Sequence, residues 1–175
     1  MTPMSNKSIL TTELEILIPF HDVDSMGITW HGNYLRYFEM ARCQLLDMFG
    51  YGYREMLASG YSWPIVDLQI KYVQPSTFDQ RVKVIASLVE WENRMKINYQ
   101  VRDLATNKRL TKGYTIQAAV DSNNELCFVT PTVFRQKLAH LIPNLEIDST
   151  EIDTAETDST ETESIKTKNN ERSGR

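Results

Sequence analysis

Cysteine is scarce in this 175-residue chain, which contains only Cys43 and Cys127. Two cysteines are too few for a disulfide framework, and neither has a neighbour at the spacing of metal ligands. Long apolar runs are also missing, so no segment is predicted to span a bilayer. The first residues, MTPMSNKSILTTELE, lack the basic and apolar regions of a signal peptide. These absences predict a cytoplasmic protein that does not enter a membrane.

A cluster of basic residues is absent as well, and the charge is unevenly distributed. The net charge is −4, yet residues 146–175 contain nine acidic and four basic residues, which leaves the rest of the chain near neutral. Nucleic-acid binding usually requires lysine and arginine gathered on one face, so no nucleic-acid partner is predicted. The tail is rich in Ser, Thr and Glu, a composition typical of disorder. We therefore predict a flexible N-terminus (1–11), one domain (12–142) and a disordered acidic tail (143–175).

Hydrophobic periodicity in the domain predicts a strand, a long helix, four further strands and a short final helix. The long helix covers residues 31–49, where apolar residues recur at steps of three and four and occupy most of the circumference. A helix of this kind is usually buried centrally. The strands alternate apolar and polar residues between turn formers, and they are predicted at 12–20, 63–75, 80–92, 94–103 and 109–121. This order predicts an α+β protein whose curved antiparallel sheet is wrapped around one long buried helix.

Residues 21–42, HDVDSMGITWHGNYLRYFEMAR, place two aspartates, a glycine and a histidine directly before that helix. A charge beside a buried helix is costly unless it has a partner or a chemical task. The first N–H groups of a helix lack intrahelical partners, so they favour a nearby carboxylate and can also bind a carbonyl oxygen. Asp24 and the helix start near His31 are therefore candidate functional groups. Asp24 could instead only cap the turn or the helix.

The same stretch resembles the hotdog-fold thioesterases, in particular the branch that contains 4-hydroxybenzoyl-CoA thioesterase. That family has an aspartate, a glycine three residues later and an aromatic residue, and then a helix with Tyr, a Tyr-Phe pair and Glu-x-Ala-Arg. The matching residues are Asp24, Gly27, Trp30, His31, Tyr34, Tyr37, Phe38, Glu39, Ala41 and Arg42. Residues 65–84 resemble the next strand pair of the family. The resemblance covers about residues 12–138 and implies a hotdog fold.

The resemblance also implies an activity, the hydrolysis of an acyl-CoA thioester to a free acid and CoA-SH. Asp24 would act as the nucleophile or as the general base, and the helix N-terminus near His31 would polarise the carbonyl. Gly27, Trp30 and Tyr34 would bind the substrate. The ring of His31 could touch the substrate or only orient the loop. No cofactor and no metal ion are implied.

Several side chains near the motif have structural interpretations that stay open. Asp22 is expected to be a turn residue or the partner of a nearby base. Glu39 and Arg42 lie three apart on one helix and are expected to form an ion pair. Tyr34 could pack in the core or at a dimer interface rather than line an acyl pocket.

The predicted partners follow from the resemblance too. Acyl-CoA is the expected substrate, and acyl carrier protein is an alternative acyl donor. The family implies a homodimer or homotetramer joined through the strand around residues 65–73, with Lys71, Arg81 and Arg94 as candidates for binding the CoA phosphates. A hydratase is disfavoured because no proline lies in residues 21–33, and a non-catalytic acyl-binding protein remains the alternative from another class.

Overall fold

The computed structural model describes residues 8–142. Within them, five strands and three α-helices follow one another in the order β1, α1, α2, β2, β3, β4, β5 and α3, and a short 3-10 helix (Phe20–Asp22) lies between β1 and α1. The strands are β1 (Leu10–Leu17), β2 (Ile65–Tyr72), β3 (Arg81–Glu90), β4 (Met95–Asp103) and β5 (Arg109–Gln117). The helices are α1 (Asn33–Asp47), α2 (Tyr53–Ala58) and α3 (Thr132–Ala139). Every predicted element is present, with ends that differ by a few residues.

The structure describes the start of the predicted domain but not the predicted tail. Strand β1 starts at Leu10, so Leu10 and Thr11, which were assigned to the flexible N-terminus, belong to the sheet. Both make ladder pairs with β3. The predicted acidic tail (143–175) lies outside the described residues. None of the helices between residues 8 and 142 is long and apolar enough to cross a membrane.

The five strands form one antiparallel sheet in the order β1-β3-β4-β5-β2. Strands β3, β4 and β5 are consecutive neighbours, as their short connections predict. Strand β2 precedes them in the chain but pairs with the far side of β5, so β1 and β2 are the two edges. The prediction of an α+β hotdog fold is confirmed.

Helix α1 packs its aromatic face onto the middle of the sheet. The ring of Phe38 stacks on Tyr99 of β4 with the ring centroids 4.3 Å apart. Gly113, the cross-strand partner of Tyr99, leaves the space that this ring occupies, because a Cβ there would lie 2.9 Å from Phe38. Leu45 and Ala41 continue the buried stripe along the helix.

The other faces of α1 differ from the prediction of burial on nearly all sides. Leu35 and Met40 are 42% and 44% exposed in the isolated chain. The buried stripe instead runs through the tyrosines, because Tyr34 and Tyr37 carry hydroxyls that find partners in the core. The predicted Glu39–Arg42 ion pair is confirmed.

Strand β2 is an exposed edge with apolar side chains. Helix α1 lies closest to β1 and β3 and leaves much of this edge uncovered, although Tyr34 of the helix contacts Tyr72. Leu68 and Tyr72 therefore remain exposed on the face that looks toward the helix layer. Val66, at a bulge near the start of the strand, is 58% exposed.

Candidate active site

The segment between Asp22 and Trp30 is a tight hairpin that leads into α1. The N–H of Trp30 donates to the backbone oxygen of Asp22 at 2.8 Å, and the N–H of Asp24 donates to Ile28 at 2.9 Å. Gly27 closes the turn with φ +74°, a left-handed conformation that favours glycine. The hairpin thus fixes the position of Asp24 on the segment that leads into the helix.

The carboxylate of Asp24 is only partly engaged. One oxygen, Oδ1, accepts a 2.8 Å hydrogen bond from the N–H of Met26, which holds the side chain over the turn. The other oxygen, Oδ2, has no hydrogen-bond partner among residues 8–142. Asp24 is half-buried, and this oxygen keeps its capacity to accept a further hydrogen bond.

The start of α1 offers unpaired donors. Gly32 is the N-cap residue, and no side chain caps the helix. In the described chain, the N–H groups of His31 and Gly32 have no acceptor. Such donors can stabilise a negative charge on a carbonyl oxygen.

The carboxylate of Asp22 is buried against α1. It forms an ion pair with Arg36 and accepts a 2.7 Å hydrogen bond from the hydroxyl of Tyr37. Its backbone oxygen accepts the side-chain N–H of Asn33 at 2.9 Å, in addition to the N–H of Trp30. Asp22 is therefore the partner of a nearby base, one of the two roles predicted for it. These contacts fasten the hairpin to the first turns of the helix.

The surroundings of Asp22 keep its charge. Burial alone would raise the pKa of this carboxyl, but hydrogen bonds from Tyr37 and Arg36 and the charge of Arg36 outweigh it and lower the pKa. The hydrogen bond between Tyr37 and Asp22 has the opposite effect on Tyr37. Together with burial, it raises the pKa of the Tyr37 hydroxyl. Asp22 is therefore ionised at neutral pH and serves as a fixed negative charge.

A buried hydroxyl cluster supports the hairpin from below. The hydroxyl of Ser76 lies 2.6 Å from that of Thr29 and 2.9 Å from that of Tyr34. The N–H of Thr29 also donates to the backbone oxygen of Ser76 at 2.8 Å. Tyr34 is buried in the single chain, with its hydroxyl held by Ser76. Ser76 was not among the site residues predicted from the sequence.

Aromatic side chains form the exposed surface around the helix start. The indole of Trp30, 49% exposed, lies over Gly32, and its ring centroid is 5.0 Å from that of His31. Tyr72 of β2 donates from its hydroxyl to the backbone oxygen of His31 at 2.9 Å. The ring of Tyr72 also contacts Tyr34 at a centroid distance of 5.4 Å.

Four of the predicted site residues, Asp24, Gly27, Trp30 and His31, lie together on the hairpin and the helix start. Tyr34 lies beneath them, in the first turn of α1. Sequence reasoning missed Arg36 and Tyr72, because neither residue type is distinctive and their contacts join distant segments. Among residues 8–142, no three His, Cys, Asp or Glu side chains converge as metal ligands would.

Comparison with known proteins agrees with this architecture. The model of the thioesterase-like superfamily matches residues 18–143. YneP of Bacillus subtilis (strain 168), a candidate acyl-CoA thioesterase, is 33% identical over 85 residues, which are 49% of this chain and 61% of YneP. The chain thus matches less than two thirds of the length of that relative.

Two solved structures have the same fold. The hypothetical protein TT1821 from Thermus thermophilus superposes with a TM-score of 0.67 at 25% identity, over 74% of this chain and 98% of that one. Slr0204 from Synechocystis, a 1,4-dihydroxy-2-naphthoyl-CoA thioesterase, gives a TM-score of 0.67 at 15% identity, over 74% and 96% of the two chains.

Proposed function

Because the chain belongs to the thioesterase-like superfamily, we propose that it hydrolyses acyl-CoA thioesters to a free acid and CoA-SH. The substrate class is suggested by the names of YneP and Slr0204. The observation that carries the proposal is the short segment from Asp24 to Gly32, which holds a carboxylate with one free oxygen and two unpaired backbone N–H groups at the helix start. The reaction uses no cofactor. The two free cysteines suit a reducing compartment, and we assign the protein to the cytoplasm.

Asp24 supplies the reactive carboxylate in either of two routes. As a nucleophile, it attacks the thioester carbonyl, the C–S bond breaks, and water then hydrolyses the resulting anhydride. As a general base, it takes a proton from the water that attacks the same carbonyl. In both routes the CoA thiolate leaves and takes up a proton.

The N–H groups of His31 and Gly32 bind the oxygen that becomes negative in the tetrahedral intermediate. They are useful because they are fixed in place and need no rearrangement when the charge develops. The link between Asp22 and Trp30 keeps these donors and Asp24 in one rigid unit.

The acyl group lies against the aromatic surface next to the helix start. Trp30 forms one wall, and Tyr34 supports the floor. Gly27 has no side chain, so the turn leaves room for the thioester. The uncovered face of β2, with Leu68 and Tyr72, extends this surface away from the hairpin.

A second copy of the chain completes the assembly, as a homodimer or a homotetramer. Strand β2 presents an unpaired edge and exposed apolar side chains, a combination that soluble proteins normally cover. Edge-to-edge pairing of two β2 strands would cover both. It would also place the acyl surface at the interface between subunits.

The test is free-thiol release from a panel of short, long and aromatic acyl-CoAs, together with an acyl carrier protein thioester. Asp24→Asn and Asp24→Ala are compared with Asp79→Asn, a matched change at an exposed turn aspartate whose left-handed φ suits asparagine. We expect the Asp24 variants to hydrolyse the substrate about 10²–10⁴-fold more slowly than the wild type. The control is expected to match the wild type.

The outcomes separate the alternatives. Full activity in the folded Asp24 variants would remove Asp24 from the chemistry. Hydrolysis of the carrier-protein thioester alone would change the substrate class, and tight binding without turnover would indicate an acyl-binding protein. A single turnover in H₂¹⁸O tests the nucleophilic route, because label in the Asp24 carboxylate arises only when water attacks the aspartyl carbonyl of the anhydride.

A further inference from the structure

The face of the sheet opposite α1 carries a pocket of about 380 Å³. Its polar lining comes from strands β2, β4 and β5 and includes Gln69, Lys71, Asn98, Gln100, Arg109 and Lys112. Lys112 precedes Gly113, which faces Phe38 of the helix, so alternation along the strand directs Lys112 to the opposite face. The pocket is therefore separate from the candidate active site.

The pocket concentrates positive charge, and the carboxylate at its margin is that of Asp67, which accepts a 3.0 Å hydrogen bond from the lining residue Tyr114. Lys71 of β2 and Lys112 of β5 are directly opposite each other in the strand register. Like charges at such a position destabilise a sheet unless something lies between them. Within residues 8–142, neither lysine makes an ion pair, Arg109 makes none either, and the lining contains no carboxylate.

The amides of the pocket add hydrogen-bond donors. The side-chain oxygen of Gln100 accepts two hydrogen bonds from Arg102, at 3.1 and 2.9 Å. Its NH₂ group therefore remains as a donor. Arginine and lysine beside free N–H groups are the set that binds phosphate.

We propose that this pocket binds the phosphate groups of a phosphate-bearing ligand. Of the residues considered from sequence, only Lys71 lines it, and Arg94 is instead paired with Glu90. Lys71 is adjacent to Tyr72, which contacts His31 on the other face of β2. The ligand is either the nucleotide end of the acyl-CoA, an assignment that rests on the proposed function, or a separate phosphate-bearing molecule.

The experiment compares the wild type with Lys71→Ala/Lys112→Ala. The control, Arg54→Ala/Lys108→Ala, removes the same charge from exposed positions outside the pocket. The first measurement is the shift in melting temperature on adding sodium pyrophosphate at constant ionic strength. The second is KM for an acyl-CoA and for the matching acyl-pantetheine, which lacks the nucleotide.

Either of two results supports the site. If the pocket holds the CoA phosphates, KM for acyl-CoA rises about tenfold in the pocket variant only, and KM for acyl-pantetheine stays unchanged. If it holds a separate ligand, the pyrophosphate shift disappears in the pocket variant while both KM values stay as they were.

A different pattern overturns the proposal: the same pyrophosphate response and the same KM values in the pocket variant and the control. The pyrophosphate measurement needs no turnover, so it decides the question even if no thioester is hydrolysed. A failure of the proposed function is recognised separately, by the absence of hydrolysis of acyl-CoA and acyl-pantetheine in the wild type.

Discussion

The hydroxyl of Tyr37 donates a 2.7 Å hydrogen bond to the carboxylate of Asp22. This bond joins the buried face of helix α1 to the hairpin that carries Asp24. Arg36 binds the same carboxylate from the side that faces solvent. Asp22 is thus held by two consecutive residues of the helix, and the position of the hairpin depends on both.

Loss of the cation in this arrangement should be measurable. Arg36→Ala is expected to lower the free energy of unfolding by about 1–3 kcal/mol, because the buried carboxylate loses a charged hydrogen-bond partner. The value should fall in the lower part of that range, since Arg36 is half exposed. Urea denaturation is the measurement. Arg54→Ala, an exposed residue of α2, is the control, and an equal effect of both changes would contradict the role given to Arg36.

Acid should destabilise the fold through two aspartates. Because folding lowers the pKa of Asp22, this residue stabilises the fold at pH values above its unfolded pKa of 3.8. That stabilisation is lost as the pH falls through the lower pKa of the folded state. Hydrogen bonds from the Thr106 hydroxyl and from Gln80 lower the pKa of Asp103 to about 2, so the stabilisation from Asp103 is also lost in acid. Urea denaturation between about pH 5 and pH 2 should show this decline. Asp103→Asn should make it shallower, and an unchanged profile would count against the turn contacts of Asp103.

The space above Gly113 should tolerate no side chain. In Gly113→Ala, the new Cβ would overlap the backbone oxygen of Gln69 and press on the ring of Phe38. We expect a loss of about 1–3 kcal/mol of stability and a changed near-UV circular dichroism, because the Phe38–Tyr99 stack must shift. Gly60→Ala is the matched change: it meets no neighbouring atom but has φ +77°, so it should lower stability without altering the aromatic signal. An unaltered signal in both variants would argue against the packing of Phe38 over Gly113.

The edge strand offers a test of assembly. Val66→Glu is expected to convert the proposed oligomer to monomers, because a charge at the paired edge would be buried without a partner. Light scattering after size-exclusion chromatography measures the mass. Leu57→Glu introduces the same charge at an even more exposed apolar residue of α2 and should leave the mass unchanged. An oligomer that survives Val66→Glu would place the interface elsewhere.

Most of the fold was predictable because it follows from local patterns. Alternation with a period of two identified each strand, and steps of three and four identified α1. The exposure of Leu35 was not predictable, since the helical pattern does not show which apolar positions the sheet will cover. The pairing of β2 with β5 also could not be read from the sequence, because it joins segments that are far apart in the chain.

The candidate site was predictable only in part, for a related reason. Asp24, Gly27 and His31 stand out because they are close together in sequence, before a buried helix. Tyr72 reaches the site from β2 and Ser76 from the turn after that strand. No local sequence pattern indicates these contacts. Arg36 lies within the motif, but only the fold shows that Asp22 is its partner.

Consecutive residues of strand β2 point to opposite faces of the sheet, with the charged Lys71 on one face and the aromatic Tyr72 on the other. A slip of one residue in its pairing with β5 would exchange the two faces and bring the lysine against His31. The bulge between Ile65 and Asp67 sets the register of the residues that follow it. An insertion or deletion at that bulge would therefore exchange the side chains on both faces of the sheet, although the bulge lies several residues before Lys71 and Tyr72.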